Sequence, residues 1–227
     1  MPAGTLAVAA RLQHWVCENA KSTRAYLKRV DVSHPLAHTL QTLNVQELPR
    51  EVHKKGDHTG NFDARPLLTP ALQGHDMGLV SEAGMPAIAD PGSSVVRAAH
   101  ELGVPVAPLV GPVSLLLALA ASGLNGQNFA FVGYLPQDAA ERAQRIRELE
   151  ALALRHGQTQ MFIETPYRNA VLLQALLQTL QPHTRLSTST GLTLDTARTH
   201  SMTVKSWKQT AGAAPDNSTP AVFLIGR

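Results

Sequence analysis

The fold of this chain is decided by residues 78–92, which read Gly-Leu-Val-Ser-Glu-Ala-Gly-Met-Pro-Ala-Ile-Ala-Asp-Pro-Gly. A short apolar run opens the stretch, and a loop of small residues, glycine, proline and two acids follows it. Ser93 and Ser94 then begin a segment of helical periodicity that stops at Gly103. This succession is typical of a strand, a tight loop and a helix, with the loop facing a ligand from the carboxyl end of the strand.

A second unit of the same kind is predicted directly downstream. Residues 104–110 form an apolar run, Gly111-Pro112 is a turn, and Ser114–Ser122 reads as an apolar helix that stops at Gly123. Two such loops in succession indicate one ligand cleft.

Composition narrows the class of protein further. The 227 residues, 44% of them hydrophobic, suffice for one large α/β domain or two small ones, and the net charge of +3 permits RNA binding. The one cysteine, Cys17, excludes an internal disulfide and fits a reducing compartment. No long apolar run or leader pattern is seen, and the ten histidines lack metal-ligand spacing. We therefore expect a cytoplasmic protein with no membrane segment and no metal.

The remaining pattern predicts alternating helices and strands, with a β-rich C-terminal third and no internal repeat. The expected helices cover residues 6–13, 22–30, 66–73, 114–122, 139–156 and a segment that Thr165-Pro166 begins and that ends near 180. The expected strands cover 14–16, 129–134, 160–164, 185–189, 199–204 and 221–225, with a solvated loop over 206–219.

Four motifs in order resemble the tetrapyrrole methylase superfamily of S-adenosylmethionine-dependent methyltransferases. The nearest likeness is to the branch that methylates the ribose 2′-oxygen of a cytidine in small-subunit rRNA. The matching segments are Ser81 to Gly92, Val110-Gly111-Pro112-Val113-Ser114 with Ser122-Gly123-Leu124, Phe131-Val132-Gly133-Tyr134-Leu135-Pro136, and Phe162-Ile163-Glu164-Thr165-Pro166-Tyr167-Arg168.

The resemblance implies two α/β domains, 1–111 and 112–227, with an S-adenosylmethionine cleft between them and a homodimeric assembly. It places these residues at the cofactor: Gly84, Met85, Pro86, Ile88, Gly111, Val113, Ser114, Pro220 and Ala221. Small loop residues let the backbone approach such a ligand closely. The alternatives are an ordinary strand-to-helix turn at 81–92, an N-cap hydroxyl at Ser114 and a plain turn into an edge strand at Pro220.

Five further residues are candidates for holding the methyl acceptor: Glu82, Asp90, Glu164, Tyr167 and Arg168. A ribose hydroxyl is a poor nucleophile, so a positioned carboxylate would help to remove its proton. The structural alternatives are that Asp90 caps the following helix and that Glu164 holds a loop through backbone amides. A basic face at 21–29 suits an RNA backbone or the ribosomal subunit, or is simply solvated.

The chain departs from the branch in two places. Members begin with a strand and a Pro-Thr-Pro-(Ile/Leu)-Gly loop, which are absent here, and a Glu-Leu-Thr-Lys element is replaced by Gly191-Leu192-Thr193-Leu194. Three functions therefore stay open. The first is methylation of RNA, with the acceptor uncertain. The second is methylation of a tetrapyrrole or another small molecule, and the third is cofactor binding without catalysis.

Overall fold

The computed structural model describes residues 1–55, 62–210 and 215–227. They divide into two compact units, unit 1 over Met1–Pro112 and unit 2 over Val113–Arg227, each of which is described by itself. Both units combine helices with a sheet, so the predicted α/β class is confirmed. Part of the solvated loop expected over 206–219 lies outside the described residues.

Unit 1 alternates helices with short parallel strands. Its helices are α1 (Ala3–Arg11), α2 (Ala20–Asp31), α3 (Arg50–Lys55), α4 (Thr69–Leu72), which continues a 3₁₀ turn at Arg65–Leu68, and α5 (Ser93–Glu101). Its strands are β1 (His14–Cys17), β2 (Asn44–Glu47) and β3 (Met77–Val80). The predicted strand and helix on either side of the 81–92 loop are thus confirmed.

The sheet of unit 1 has the order β2-β1-β3, and both pairings are parallel. Trp15 of β1 is paired with Gly78 of β3, and a Cβ atom at Gly78 would lie 2.4 Å from the indole ring. Glycine is therefore required there, because the ring occupies the space that a side chain would fill.

Consecutive residues of β1 face two separate apolar clusters, so the sheet of unit 1 is covered on both faces. Trp15 packs with Leu12 of the preceding turn and Leu27 of α2, whereas Val16 packs with Val95 and Ala98 of α5. A parallel sheet buried on both sides holds the ends of its strands in fixed positions, and these ends carry the candidate site.

The expected strand at residues 104–110 is not formed. This segment has no regular secondary structure and is largely exposed. Pro105 and Pro108 lie within it, and each removes an N–H group that a sheet ladder needs. Residues 104–122 therefore form an extended segment, a turn and a helix. The prediction of a second strand-loop-helix motif is wrong in its strand.

Unit 2 consists of four helices and five strands among its described residues. The helices are α6 (Ser114–Ser122), α7 (Ala139–His156), α8 (Asn169–Thr179), which continues a 3₁₀ turn at Pro166–Arg168, and α9 (Val204–Trp207). The strands are β4 (Phe129–Tyr134), β5 (Thr159–Glu164), β6 (Arg185–Thr190), β7 (Arg198–Thr203) and β8 (Ala221–Gly226).

The sheet of unit 2 is mixed, with the order β4-β5-β8-β6-β7. The last strand lies in its centre, antiparallel to both β5 and β6, so the alternative of an edge strand after Pro220 is wrong. Phe162 of β5 and Phe223 of β8 stack with ring centroids 6.1 Å apart, and Ile146 and Leu149 of α7 complete this core with Leu172 of α8.

Candidate functional site

Three glutamates lie where the parallel strands of unit 1 end. Glu18 follows β1, Glu47 is the last residue of β2, and Glu82 comes two residues after β3. Glu47 Oε1 accepts a 2.6 Å hydrogen bond from the amide of Ala20, at the first turn of α2. Because the carboxyl ends of parallel strands meet at one edge of a sheet, the acids gather there, beside the positive end of a helix dipole.

The loop after β3 is tied to the loop after β1 through Glu18 and Glu82. Glu18 Oε2 accepts a 2.6 Å hydrogen bond from the amide of Glu82, and the hydroxyl of Ser22 on α2 donates to Glu82 Oε1. Asn19 caps α2 by accepting from the amides of Lys21 and Ser22. Glu82 is thus fixed in position, which a freely solvated glutamate is not.

Asp90 lies in the same acidic group, which we call the edge cluster: Glu18, Glu82 and Asp90. Burial, and secondarily the Glu18 carboxylate, raise the pKa of Asp90 to about 6, while a hydrogen bond with Ser81 acts in the opposite direction. A Cβ atom at Gly84 would lie 3.5 Å from Asp90 Oδ2. The N-cap position of α5 is Gly92, so Asp90 does not occupy the capping position that the structural alternative gave it.

The backbone of the 81–92 loop is contorted. Gly84 and Gly92 have φ values of +87° and +135°, and two alanines, Ala87 and Ala89, have φ values of +65° and +61°. A non-glycine residue in this region costs on the order of 1 kcal/mol, so the surrounding structure has to hold the loop in place. The amide of Ala87 donates to the carbonyl of Pro91, which folds the loop back on itself.

Four predicted cofactor residues lie in this loop and are reachable from solvent. Gly84 is exposed, Met85 and Pro86 are half-buried, and the side chain of Ile88 is 46% exposed. An exposed isoleucine in a tight loop offers an apolar contact to a ligand, and its glycine and alanine neighbours leave the backbone accessible.

The remaining predicted cofactor residues occupy two other segments. Gly111 is half-buried beside Met1, Val113 is buried at the N-cap position of α6, and Ser114 is the exposed first residue of that helix. The alternative that Ser114 serves as the N-cap is therefore wrong. Pro220 is exposed and Ala221, the first residue of β8, is buried.

The turn before Pro220 is built around Asp216. Asp216 Oδ1 accepts hydrogen bonds from the amides of Ser218 and Thr219 at 2.8 and 2.6 Å, and the hydroxyl and amide of Ser218 chiefly lower the pKa of Asp216 to about 2. The side-chain amide of Asn169 on α8 donates to the carbonyls of Asp216 and Thr219 at 2.9 Å.

Glu164, Tyr167 and Arg168 come together in unit 2. Glu164 Oε1 accepts from the amide of Thr165 at 2.8 Å, and Glu164 Oε2 lies 3.4 Å from Arg168 Nη2. Both side chains are largely buried. The structural alternative for Glu164, a carboxylate that holds a loop amide, is thus confirmed, although Thr165 itself donates its hydroxyl to Glu164 instead of capping the turn.

A cavity of about 230 Å³ opens beside this ion pair. Its lining adds Tyr134, Leu135 and Gln137 to the residues just described. A larger cavity of about 370 Å³ runs along the outer face of α8, and its wall is almost wholly apolar apart from Gln174, Gln178 and Lys208. The smaller cavity is the one that carries chemically useful groups.

The sequence pattern did not indicate Glu18 and Ser22 as site residues, although Glu18 lies two residues after the strand predicted at 14–16. In the described ranges 1–55, 62–210 and 215–227, no three histidines, cysteines or acids lie close enough together to hold a metal ion. Nor is any helix of that part of the chain long and apolar enough to cross a membrane.

The fold and the sites define an α/β protein of two units, with a strained, small-residue loop at the carboxyl end of a parallel strand. The profile of the tetrapyrrole (corrin/porphyrin) methylases matches residues 7–206, so the chain belongs to that family. The resemblance drawn from the four motifs is thereby confirmed.

Two relatives carry the name ribosomal RNA small subunit methyltransferase I. The protein of Vibrio cholerae serotype O1 is 37% identical over 124 residues, which are 55% of this chain and 42% of that protein. The protein of Micromonospora olivasterospora is 35% identical over 156 residues, which are 68% of this chain and 49% of that protein. The chain thus spans about half the length of the curated relatives it matches.

Solved structures share the fold over the whole chain. The methyltransferase CobJ aligns with a TM-score of 0.57 at 19% identity, covering 100% of this chain and 87% of CobJ. The uroporphyrin-III C-methyltransferase of Thermus thermophilus aligns with a TM-score of 0.51 at 16% identity, covering 100% of this chain and 87% of that protein. At these identities the likeness concerns the fold alone.

Proposed function

We propose that this protein is an S-adenosylmethionine-dependent methyltransferase whose acceptor is the ribose 2′-oxygen of rRNA. The observation that carries the proposal is the 81–92 loop of a methylase-family chain, which exposes small residues and Ile88 beside the edge cluster. The names of the relatives support RNA over a small-molecule acceptor.

The residues of the loop fit the cofactor chemically. S-adenosylmethionine carries a methyl group on a positively charged sulfonium, with an ammonium and a carboxylate at the far end of its methionine chain, and donates that methyl without a metal. Glu18, Glu82 and Asp90 supply negative charge near the loop, while Ile88 and Met85 supply an apolar contact for the adenine ring. We propose Gly84, Pro86, Gly111, Val113, Ser114, Pro220 and Ala221 as the further contacts.

The acceptor hydroxyl needs a group that can take its proton. A carboxyl with a pKa of about 6 is ionised at pH 7 and is more basic than an ordinary aspartate, which suits Asp90 to this task. Glu82, fixed by Ser22, would hold the ribose hydroxyls of the acceptor by accepting hydrogen bonds.

A basic face on α2 supports an RNA partner. Lys21, Arg24, Lys28 and Arg29 are all exposed there, and none of them forms an ion pair within the described part of the chain. The row begins at the carboxyl edge of the unit 1 sheet, next to the edge cluster. Phosphate oxygens would neutralise these cations and release bound counterions. A homodimer and a cytoplasmic location complete the proposal.

The cofactor is tested by calorimetric titration of S-adenosylhomocysteine into the full chain. We expect a dissociation constant in the micromolar range, and at least about tenfold weaker binding for Ile88→Glu, because the charge removes the apolar contact. The matched control is Val32→Glu, which places the same charge at a residue of unit 1 that is 88% exposed and outside the loop. The assignment of the loop would be refuted if the parent chain did not bind S-adenosylhomocysteine. Equal binding by Ile88→Glu and Val32→Glu would refute it as well.

The RNA partner is tested by the salt dependence of binding to a single-stranded rRNA fragment. The double variant Arg24→Gln/Lys28→Gln should lower the slope of log K against log[salt] by about 1.4, at roughly 0.7 per lost phosphate contact on a single strand. Arg147→Gln/Lys205→Gln removes two exposed cations of unit 2 and is the charge-matched control. Equal slopes for the two variants would contradict a phosphate track on α2.

A further inference from the structure

We infer that the cavity between Tyr134 and Arg168 binds one unstacked nucleobase of single-stranded RNA, held against the rings of Tyr134 and Tyr167. The inference rests on the proposed function and names the part of the RNA that unit 2 reads. Below, this site is called the tyrosine cavity.

Two tyrosines from separate elements present their rings at this one cavity. Tyr134 is the last residue of β4 and is 62% exposed, and Tyr167 lies in the 3₁₀ turn before α8 and is 69% exposed. Neither ring belongs to the hydrophobic core of unit 2. Exposed aromatic rings beside a cavity are the means by which proteins stack unpaired bases, since every base offers a π-face.

The floor of the tyrosine cavity is polar but balanced in charge. The Glu164 carboxylate faces the Arg168 guanidinium across 3.4 Å, and its other oxygen is held by the Thr165 amide. Because the arginine is already paired, the floor is a poor site for a phosphate and a good one for a neutral base. The planar guanidinium can stack on that base as well.

The walls give the base one apolar and one polar contact. Leu135 is buried and lines the cavity, while Gln137 is exposed at its rim. A glutamine side chain both donates and accepts hydrogen bonds, which suits the edge of a base.

The size of the tyrosine cavity favours a single base. At about 230 Å³ it is smaller than the roughly 300–1,000 Å³ of sites that enclose drug-sized ligands, so a tetrapyrrole macrocycle does not fit inside it. A base that is paired within a duplex cannot enter either, and single-stranded RNA is therefore the expected form.

The test uses the tyrosines as reporters, because the chain has three and the third, Tyr26, is half-buried on α2 in unit 1. The Arg24→Gln/Lys28→Gln variant, in which the proposed phosphate track beside Tyr26 on α2 is removed, is labelled with ¹³C at the tyrosine rings and titrated with the trinucleotide CpCpC, without cofactor. We expect the ring signals of Tyr134 and Tyr167 to shift while that of Tyr26 stays in place. Ribose 5-phosphate, which lacks a base, should leave all three signals unchanged.

Substitutions separate stacking from other contacts. Tyr134→Leu and Tyr167→Leu should each weaken CpCpC binding by about 5- to 100-fold, as expected for the loss of one stacked ring. Tyr134→Phe and Tyr167→Phe keep the rings and should bind within about twofold of the parent protein. The ring signals that remain in each leucine variant show whether unit 2 is still folded.

The outcomes distinguish this inference from the proposed function. Unmoved Tyr134 and Tyr167 signals, equal shifts with ribose 5-phosphate, or leucine variants that bind CpCpC normally would each overturn it, even if S-adenosylhomocysteine binds. Shifts confined to Tyr134 and Tyr167 in a protein that does not bind S-adenosylhomocysteine would sustain the RNA site and remove the methyltransferase proposal.

Discussion

The carboxylates of the two units are held in opposite ways. In unit 2, Asp216 accepts from two amides and two hydroxyls, and Glu164 has a loop amide and an arginine. In unit 1, Glu18, Glu82 and Asp90 gather at one edge of the sheet, and the Glu18 carboxylate acts to raise the pKa of Asp90. Asp216 and Glu164 are thus surrounded by donors or a cation, whereas Asp90 of the edge cluster is half-buried beside a second carboxylate, that of Glu18.

This difference separates structural acids from acids available to a ligand. A carboxylate surrounded by donors stabilises the fold and has little capacity left for a substrate. Carboxylates that crowd together cost stability, and such groups concentrate at functional sites, where a ligand supplies the missing positive charge or donors. The strained alanines at 87 and 89 lie beside the same cluster, so electrostatic repulsion and backbone strain occur together at this edge of unit 1.

The largest change in the free energy of unfolding is expected from breaking the Glu164–Arg168 ion pair of unit 2. Arg168→Met should lower the free energy of unfolding by about 2–4 kcal/mol, because it leaves the buried Glu164 carboxylate without its cation. The measurement is urea unfolding at pH 7, read by far-UV circular dichroism.

A double variant checks the cause of that loss. Glu164→Gln/Arg168→Met removes both charges and should recover at least about 1 kcal/mol relative to Arg168→Met alone, since no unpaired ion remains. If the two substitutions prove simply additive, the pair is not coupled, and the contrast between the units loses its strongest example.

An intermediate effect, of opposite sign, is expected in unit 1. Asp90→Asn should raise the free energy of unfolding at pH 7.5 by about 1 kcal/mol, allowing for solvent screening of a half-exposed carboxyl. The folded pKa of about 6 exceeds the ordinary value of 3.8, so ionisation costs stability as the pH rises from 3.8 through 6. The gain should accordingly vanish at pH 4.

The control for that experiment is Glu101→Gln, which neutralises an exposed acid of α5 away from the loop. Its unfolding midpoint should match that of the parent protein at both pH values. A gain by Asp90→Asn that is equally large at pH 4 would show that repulsion within the edge cluster is not its cause.

The fold was largely readable because its signals are local. The alternation of apolar runs with glycine and proline predicted β3, α5, β4 and α7 close to their observed bounds. The strand predicted at residues 104–110 is wrong because the apolar run contains Pro105 and Pro108, whose missing N–H groups a strand cannot spare. The central place of β8 depends on pairings across more than 30 residues, which no local pattern reveals.

The sequence predicts the 81–92 loop of the candidate site but not the grouping of acids around it. Glycines and alanines at 83–89 predict a close backbone approach from composition alone. The contact of Glu18 with Glu82 joins residues 64 positions apart and depends on β1 and β3 being adjacent in the sheet. Glu18 follows β1 as Glu82 follows β3, and parallel neighbouring strands present their carboxyl ends at the same edge of the sheet.

The smallest effect, and the sharpest contrast with Asp90, is expected at Asp216. This carboxyl is exposed, and its hydrogen bonds with Ser218 and Thr219 lower its pKa to about 2. Because the folded pKa lies below the ordinary value, the stabilisation is complete above pH 3.8 and declines as the pH falls towards 2. Asp216→Ala should therefore lower the melting temperature most at pH 6 and less at pH 3.

Asp195→Ala, at an exposed aspartate in the turn after β6, is the control for the loss of a surface charge and should change the melting temperature less than Asp216→Ala at pH 6. Plotted against pH, the benefit of Asp90→Asn should grow as the pH rises from 4 to 7.5, while the damage from Asp216→Ala should shrink as it falls from 6 to 3. If Asp90 and Asp216 were held alike, the two substitutions would change stability in the same direction across the pH range. Opposite signs would assign the charge that awaits a ligand to Asp90 and a structural role to Asp216.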